Sequence, residues 1–230
     1  MRPAAWVFVG DLDELGLDDS DAHHLGRVLR LRLGEAVGAS DGRGRWRACV
    51  VADAAGGVLR LQATGPVVAD SVPQPPITVG FSLVKGDRPE LVVQKLTELG
   101  VDRVTPFHAR RSVARWEGER AARHVERLRR VAREAAVQSR RAWLPVIDDL
   151  ADLDVLLGAP GVALADPGGA APSLAHPTVV IGPEGGFTVE ERAAARATVR
   201  LGPLVMRAET AAMAAGALLG ALRDGLVAPT

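Results

Sequence analysis

Seven residues late in the chain, Ile181-Gly182-Pro183-Glu184-Gly185-Gly186-Phe187, combine three glycines and a proline between an apolar run and a helix-start signal. Only glycine reaches positive φ, or lets the backbone approach a ligand closely, without steric cost. The segment has no Gly-Lys-Ser/Thr of a P-loop and no G-x-G-x-x-G pattern. Any ligand here is therefore expected to meet main-chain N–H and C=O groups. The same form recurs at Ala163-Leu164-Ala165-Asp166-Pro167-Gly168-Gly169 and at Leu201-Gly202-Pro203-Leu204-Val205-Met206-Arg207-Ala208-Glu209-Thr210-Ala211. Taken singly, each reads as a tight turn or a helix start, with Thr210 as a cap and Arg207 and Glu209 as a pair. Three such loops, each after a strand-like run, point to one composite pocket at strand carboxyl ends.

A second group is cationic. The chain has 28 basic and 28 acidic residues, and Lys85 and Lys95 are its only lysines. A compact ammonium does what a planar guanidinium does not, which singles out these two positions. A net charge of zero argues against a nucleic-acid partner, yet the charge is unevenly placed. Residues 110–141 hold eleven arginines against four glutamates, a local charge of +7. Pairs at i, i+4 such as Glu119/Arg123 and Glu126/Arg130 absorb part of this on a solvated helix. The excess suits phosphate recognition and base stacking. The histidines lack metal-site spacing, and no Gly-x-Ser-x-Gly elbow exists. A single cysteine, Cys49, excludes an internal disulfide and is expected in a core.

These loops need elements to hold them. Four prolines within residues 66–76 predict a linker, dividing a domain over residues 1–70 from one over 71–230. Before it, a short helix over Asp21–Arg30 and the runs Glu35–Ala39, Trp46–Ala52 and Val58–Ala63, with turns at Asp41-Gly42-Arg43-Gly44 and Gly56-Gly57, predict a small β domain. After it, strands at Ile77–Val84, Val101–Phe107, Gly161–Ala165, Thr178–Ile181 and Leu204–Met206 alternate with helices at Pro89–Leu99, Glu117–Ser139 and Ala211–Arg223. Thr188-Val189-Glu190-Glu191 is a capping box opening one more. Such alternation predicts an α/β domain with a mostly parallel sheet. At 230 residues, 47% of them apolar, the chain can bury such cores. Charges interrupt every long apolar run, and the opening MRPAAWVFVGDLDE lacks signal-peptide order, so a cytoplasmic protein is expected.

The ordered set Lys85-Gly86-Asp87, Gln94 to Val101, Arg111-Ser112-Val113, Glu134 to Arg141, Ile181 to Phe187 and Arg207-Ala208-Glu209-Thr210-Ala211 resembles the ribosomal RNA small subunit methyltransferase E family. These are the uracil-N3 methyltransferases of the SPOUT class, acting on 16S rRNA. His24 to Leu31 and Gly34-Glu35 resemble that family's PUA-like RNA-binding module, so the likeness spans nearly the whole chain.

The resemblance implies a trefoil-knotted C-terminal SPOUT domain, a PUA-like N-terminal β-barrel, S-adenosylmethionine as methyl donor and a homodimer formed through the C-terminal domain. It implies no metal and no membrane. The cofactor is expected on Leu164, Ala165 and Asp166 of the first loop, and on Ile181, Gly182, Pro183, Gly185 and Gly186 of the second. On the third it is expected on Leu201, Gly202, Val205, Met206, Ala208, Thr210 and Ala211. Uracil N3 must lose a proton, so Glu184 or Glu209 is expected to accept it. Arg207, or an arginine of the Arg110–Arg115 loop, is expected to offset the developing anion. RNA is expected on His24, Arg27, Arg30, Lys85 and Lys95, and on Arg110, Arg111, Arg115, Arg120, Arg123 and Arg127. Two rivals are a different SPOUT methyltransferase, acting on tRNA or on a ribose 2′-oxygen, and a non-catalytic RNA-binding assembly factor. The PUA-like start disfavours the former and three intact glycine loops the latter.

Overall fold

The computed structural model describes residues 3, 5–17, 22, 31–53, 59–84 and 88–228. His24, Arg27, Arg30 and Lys85, the Asp21–Arg30 helix and the Gly56-Gly57 turn lie outside the described residues. The chain divides into two compact units, one of Met1–Val72 with Arg133–Leu144, the other of Pro73–Ala132 with Pro145–Thr230. Among the described residues, no helix is long and apolar enough to cross a membrane.

The first unit holds four strands, β1 (Ala5–Phe8), β2 (Ala36–Ser40), β3 (Arg45–Asp53) and β4 (Arg60–Ala69), in that spatial order. β1 runs parallel to β2; the others pair antiparallel. The β2–β3 turn forms where the sequence places it. Gly42 and Gly44 sit at φ +71° and +88°, and the Asp41 carboxylate accepts the N–H groups of Arg43 and Arg45. Val7, Val37, Ala39, Cys49 and Val51 are buried together. Burial pushes the Cys49 thiol pKa up, so this cysteine packs as a small apolar group. Residues 133–144 add to this unit: Arg133 donates to the Phe8 carbonyl (3.1 Å) and lies 5.2 Å from that ring's centroid.

Gly65-Pro66 does not begin the linker. β4 continues through it to Ala69 as the edge strand of its sheet. An edge strand tolerates a missing N–H, and the register shifts there: Cys49 faces Ala63 while Arg47 faces Val67.

The second unit is a seven-stranded parallel sheet. In chain order its elements are β5 (Thr78–Ser82), α1 (Arg88–Glu98), β6 (Arg103–His108), α2 (Gly118–Gln138, to Ala132 in this unit), β7 (Val146–Ile147), β8 (Ala151–Asp152), α3 (Leu153–Gly158), β9 (Val162–Ala170), β10 (Thr178–Ile181), α4 (Val189–Ala194), β11 (Thr198–Val199) and α5 (Ala208–Arg223). The spatial order is β11-β9-β10-β5-β6-β7, with β8 also on β6. Helices cover both faces, so strand residues such as Val79, Phe81, Val104, Leu164 and Val180 are all buried. α1 stops at Gly100, at φ +82°. α5 packs close to α1 because Gly216 has no side chain: a Cβ there would stand 2.9 Å from Leu96. At its far end, Arg223 is 9% exposed, pairs with Asp102 and donates to the Gly100 carbonyl (3.1 Å). The Asp102 carboxylate also accepts the N–H of Ile77 (2.8 Å).

Four local expectations are corrected. Leu204–Met206 is not a strand; the last strand is β11, because Gly202-Pro203 turns the chain and Pro203 offers no N–H. The last helix begins at Ala208, with the Arg207 backbone as its cap and Thr210 inside its first turn. Glu126 pairs with Arg129 rather than Arg130. Asp166 to Gly169 fall within β9, where the facing register jumps from Leu164 to Ala170 between consecutive β11 residues.

Candidate active site

All strands of the parallel sheet point the same way, so β9, β10 and β11 deliver their carboxyl ends to one edge side by side. The glycine loops after β10 and β11 converge there with the Ala165–Pro167 stretch of β9 around a cleft of about 250 Å³. That is close to the lower end of small-molecule sites, roughly 300–1,000 Å³. Between β10 and β5 the chain order reverses, the position where open α/β sheets bind ligands.

The middle loop is tightly determined. Gly186 sits at φ +68° and donates to the Pro183 carbonyl (2.8 Å). The Phe187 ring folds back over Gly182, where a Cβ would come within 2.7 Å of it. The ring also stacks on Phe107 at 6.5 Å. Thr188 then caps α4 as the capping box requires, with Glu191 accepting from the Thr188 N–H (2.7 Å). The other Glu191 oxygen accepts the Arg110 N–H (2.8 Å). Arg111 donates to the Gly185 carbonyl (3.0 Å). These two bonds fasten the arginine-bearing turn after β6 to the glycine loop after β10. Ser112 is buried beneath it and bonds to Ser82 (2.6 Å).

Of the residues expected to hold a cofactor, Ala165 and Asp166 line the cleft from the first loop, and Ile181, Gly182, Pro183 and Gly186 from the second. Leu201, Gly202, Val205, Met206, Ala208 and Ala211 line it from the third. Leu164 is fully buried in the sheet behind it, Gly185 faces Arg111, and Thr210 is exposed on α5. The cleft has further walls not foreseen from sequence: Pro167, Phe187, Arg192, Val199 and Leu204. Arg192 pairs with Asp166 at 2.9 Å. Pro167 and Leu204 belong to the quoted glycine–proline segments, Phe187 directly follows the glycine pair and Arg192 lies one turn beyond; Val199 had no such signal.

Glu184 lines the cleft. Glu209 is in the first turn of α5 with its side chain 13% exposed. Arg207 is exposed and does not pair with Glu209; among the described residues, Glu209 faces Arg88 instead.

The expected RNA-contacting residues separate into two groups. Arg110, Arg111, Arg115, Arg120 and Arg123 are exposed. Arg123 reaches Glu119 only at 3.7 Å, and Arg120 donates weakly to His124 (3.4 Å). Arg127 is exposed as well but pairs with Glu90 (2.9 Å), and Lys95 is half-buried and pairs with Glu98 (2.8 Å). Trp116 is buried, its ring stacks on His124 at 4.4 Å, and its main-chain N–H donates to Nε2 of His108. Burial, with Arg115 adding to it, lowers the His108 pKa and keeps that imidazole a neutral acceptor.

Comparison with known proteins bears on this geometry. A family described as RNA methyltransferase domain matches residues 71–220, and one described as RNA methyltransferase PUA domain matches 17–57. Ribosomal RNA small subunit methyltransferase E of Mycobacterium bovis is 36% identical over 242 aligned residues, covering 95% of this chain and 92% of its own. The Synechocystis protein of that name is 32% identical over 90% of this chain and 73% of its own. A Neisseria gonorrhoeae ribosomal RNA small subunit methyltransferase E, solved bound to S-adenosyl methionine, superposes with TM-score 0.78 at 28% identity, covering 96% and 98%. A Legionella pneumophila putative methyltransferase, solved with the cofactor SAM, gives TM-score 0.79 at 25% identity, covering 96% and 98%. The chain belongs to the ribosomal RNA small subunit methyltransferase E family, an RNA methyltransferase fold with an α/β domain and a PUA domain.

Proposed function

We propose that this protein transfers a methyl group from S-adenosylmethionine to N3 of a uridine in the 16S rRNA of the small ribosomal subunit, in the cytoplasm. The observation that carries the reading is the cleft at the carboxyl ends of β9, β10 and β11, fastened through Arg110 and Arg111 to an arginine-rich turn. The cleft suits that cofactor. Its walls are mostly apolar side chains and backbone, and its two carboxylates, Asp166 and Glu184, are each paired with an arginine. Bound there, S-adenosylmethionine supplies an electrophilic methyl group on a sulfonium sulfur.

The protein's task is then mainly positioning. Main-chain groups of the two glycine loops and of Ala165–Pro167 would hold the nucleoside part, in a cleft that Ile181, Leu201 and Met206 also line. Glu184 or Glu209 takes the N3 proton, and Arg207 or an arginine of the Arg110–Arg115 turn offsets the charge developing on the uracil. The exposed arginines at the start of α2 track the RNA backbone. Residues 1–70 form the RNA-binding PUA-like module and 71–230 the catalytic domain. The out-of-sequence order of β9, β10 and β11 supports the trefoil knot that the resemblance implies.

Incubating the protein and methyl-labelled S-adenosylmethionine with 16S rRNA or small subunits lacking the modification, then mapping the label by mass spectrometry, is expected to give a single N3-methyluridine. Label on a ribose, on tRNA or nowhere overturns the reading. We also propose a homodimer through the C-terminal domain, since closed two-fold assembly is the commonest oligomer. Light scattering at micromolar concentration is expected to give twice the 24.1 kDa chain mass; a monomer mass rejects it.

A further inference from the structure

We propose that Arg192 and Asp166 form a subsite for the amino-acid end of S-adenosylmethionine, Arg192 taking its carboxylate and Asp166 its ammonium. The inference rests on the placement of that cofactor in the cleft above. Both residues line the cleft. Arg192 comes from α4 and Asp166 from β9, so the pair joins the helix after the middle loop to the neighbouring strand. Nη1 of Arg192 stands 2.9 Å from Oδ2 of Asp166. Oδ1 of Asp166 accepts the Gly168 N–H at 2.9 Å, which holds the carboxylate from its other side. Nη2 of Arg192 lies 3.9 Å from where a Cβ on Gly186 would stand, so the guanidinium passes close to the glycine loop.

The amino-acid end of the cofactor is a zwitterion, and its carboxylate needs a cation. Among the described residues, Arg192 is the one cationic side chain that lines the cleft. Glu184, the other carboxylate there, is engaged from outside: Arg88, which does not line the cleft, donates to it at 2.9 Å. Most of the remaining wall is apolar. That part suits a nucleoside, which leaves the ion pair for the charged end. A zwitterion laid against an ion pair meets an opposite charge at each of its ends. The Arg192 side chain is 51% exposed and that of Asp166 17%. A pair with one half-exposed member adds little to stability, so holding the fold does not account for it. A guanidinium bound through one nitrogen keeps further donors for a second carboxylate, and Asp166 keeps lone pairs for an ammonium. Because Asp166 already orients Arg192, little side-chain freedom is lost when a ligand arrives. The consequence is selectivity: a nucleoside without the amino-acid end gains the apolar contacts and nothing from the pair.

The test measures calorimetric affinities of the full-length protein for two ligands. S-adenosylhomocysteine keeps the amino-acid end; methylthioadenosine keeps the nucleoside and thioether but lacks that end. Neither carries a sulfonium, so the charge on sulfur does not enter the comparison. The unaltered protein is expected to prefer S-adenosylhomocysteine by about tenfold or more. Arg192→Gln is expected to weaken S-adenosylhomocysteine binding by about tenfold, the scale of one charge-assisted contact, and to leave methylthioadenosine within about twofold. Asp166→Asn, which keeps an acceptor for the Gly168 N–H, is expected to weaken S-adenosylhomocysteine by about threefold or more and again to spare methylthioadenosine. Far-UV circular dichroism checks that each variant folds. Should Arg192→Gln fail to fold, Arg192→Lys, which keeps the charge but loses the planar fork, is expected to lose about threefold for S-adenosylhomocysteine alone. Equal losses for both ligands place the pair against the nucleoside, and unchanged affinity for S-adenosylhomocysteine removes it from the site; either overturns the inference. If the unaltered protein binds neither ligand, the placement of the cofactor fails; if it binds both equally well, this inference alone fails.

Discussion

Arg223→Ala is expected to cost about 3–5 kcal/mol of stability, the range for removing one member of a buried ion pair. The Arg223 and Asp102 side chains are only 9% and 16% exposed, so water screens the pair little. Truncation would remove the cation paired with Asp102 and leave the Gly100 carbonyl without its guanidinium donor. It would also loosen the end of α5 from the turn between α1 and β6. Asp102→Ala is expected to be comparably damaging, because the Ile77 N–H loses its acceptor as well. Urea unfolding of both single variants and the double variant checks this. The double variant is expected to cost less than the two singles combined; a loss below about 1 kcal/mol for Arg223→Ala shows that the pair does not secure the helix.

Reversing Arg115, Arg120 and Arg123 together to glutamate is expected to weaken binding to 16S rRNA fragments by about 10²-fold or more at low salt. The slope of log K against log salt is expected to fall by roughly 2, from about 0.7 per phosphate contact on single strands. S-adenosylmethionine affinity is expected to stay unchanged, since none of the three lines the cleft. These three are chosen because they are exposed and weakly engaged. Arg127 and Arg129 are less suitable, because ion pairs with Glu90, and with Glu126 and Asp149, already engage them. Filter binding across a salt series distinguishes the two effects. An unchanged slope places the RNA elsewhere.

The glycine loops after β10 and β11 were legible because glycine and proline punctuate strand ends locally, and local signals survive in a linear reading; at Pro167-Gly168-Gly169 the same signal misleads, because β9 runs on to Ala170. The capping box at Thr188 and Glu191 was legible for the same reason. A shared pocket was legible from the recurrence of the motif; that β9, β10 and β11 lie side by side to form it was not. Strand adjacency is set by burial over long separations, and no spacing within the chain encodes it. Arg88 shows the limit well. It directly follows the Lys85-Gly86-Asp87 motif, yet its partners are 96 and 121 residues further along. Arg207 and Glu209, two residues apart, suggested a pair, but the backbone at the cap turns Arg207 outward while Glu209 enters the helix. Arg127 shows the converse: a count of charges along the arginine block cannot see that Glu90, on another helix, already neutralises it.

The interruption in β4 bears on how copies of the protein coexist at high concentration. A long, regular outer strand offers its free N–H and C=O groups as a template on which another chain can lay a strand. Val67 and Val68, both about two-fifths exposed, would make that template adhesive. Pro66 deletes one donor from the row, and the register shift beside it breaks the row's spacing. The irregularity that reads as a broken strand in one molecule is a safeguard against ordered aggregation among many.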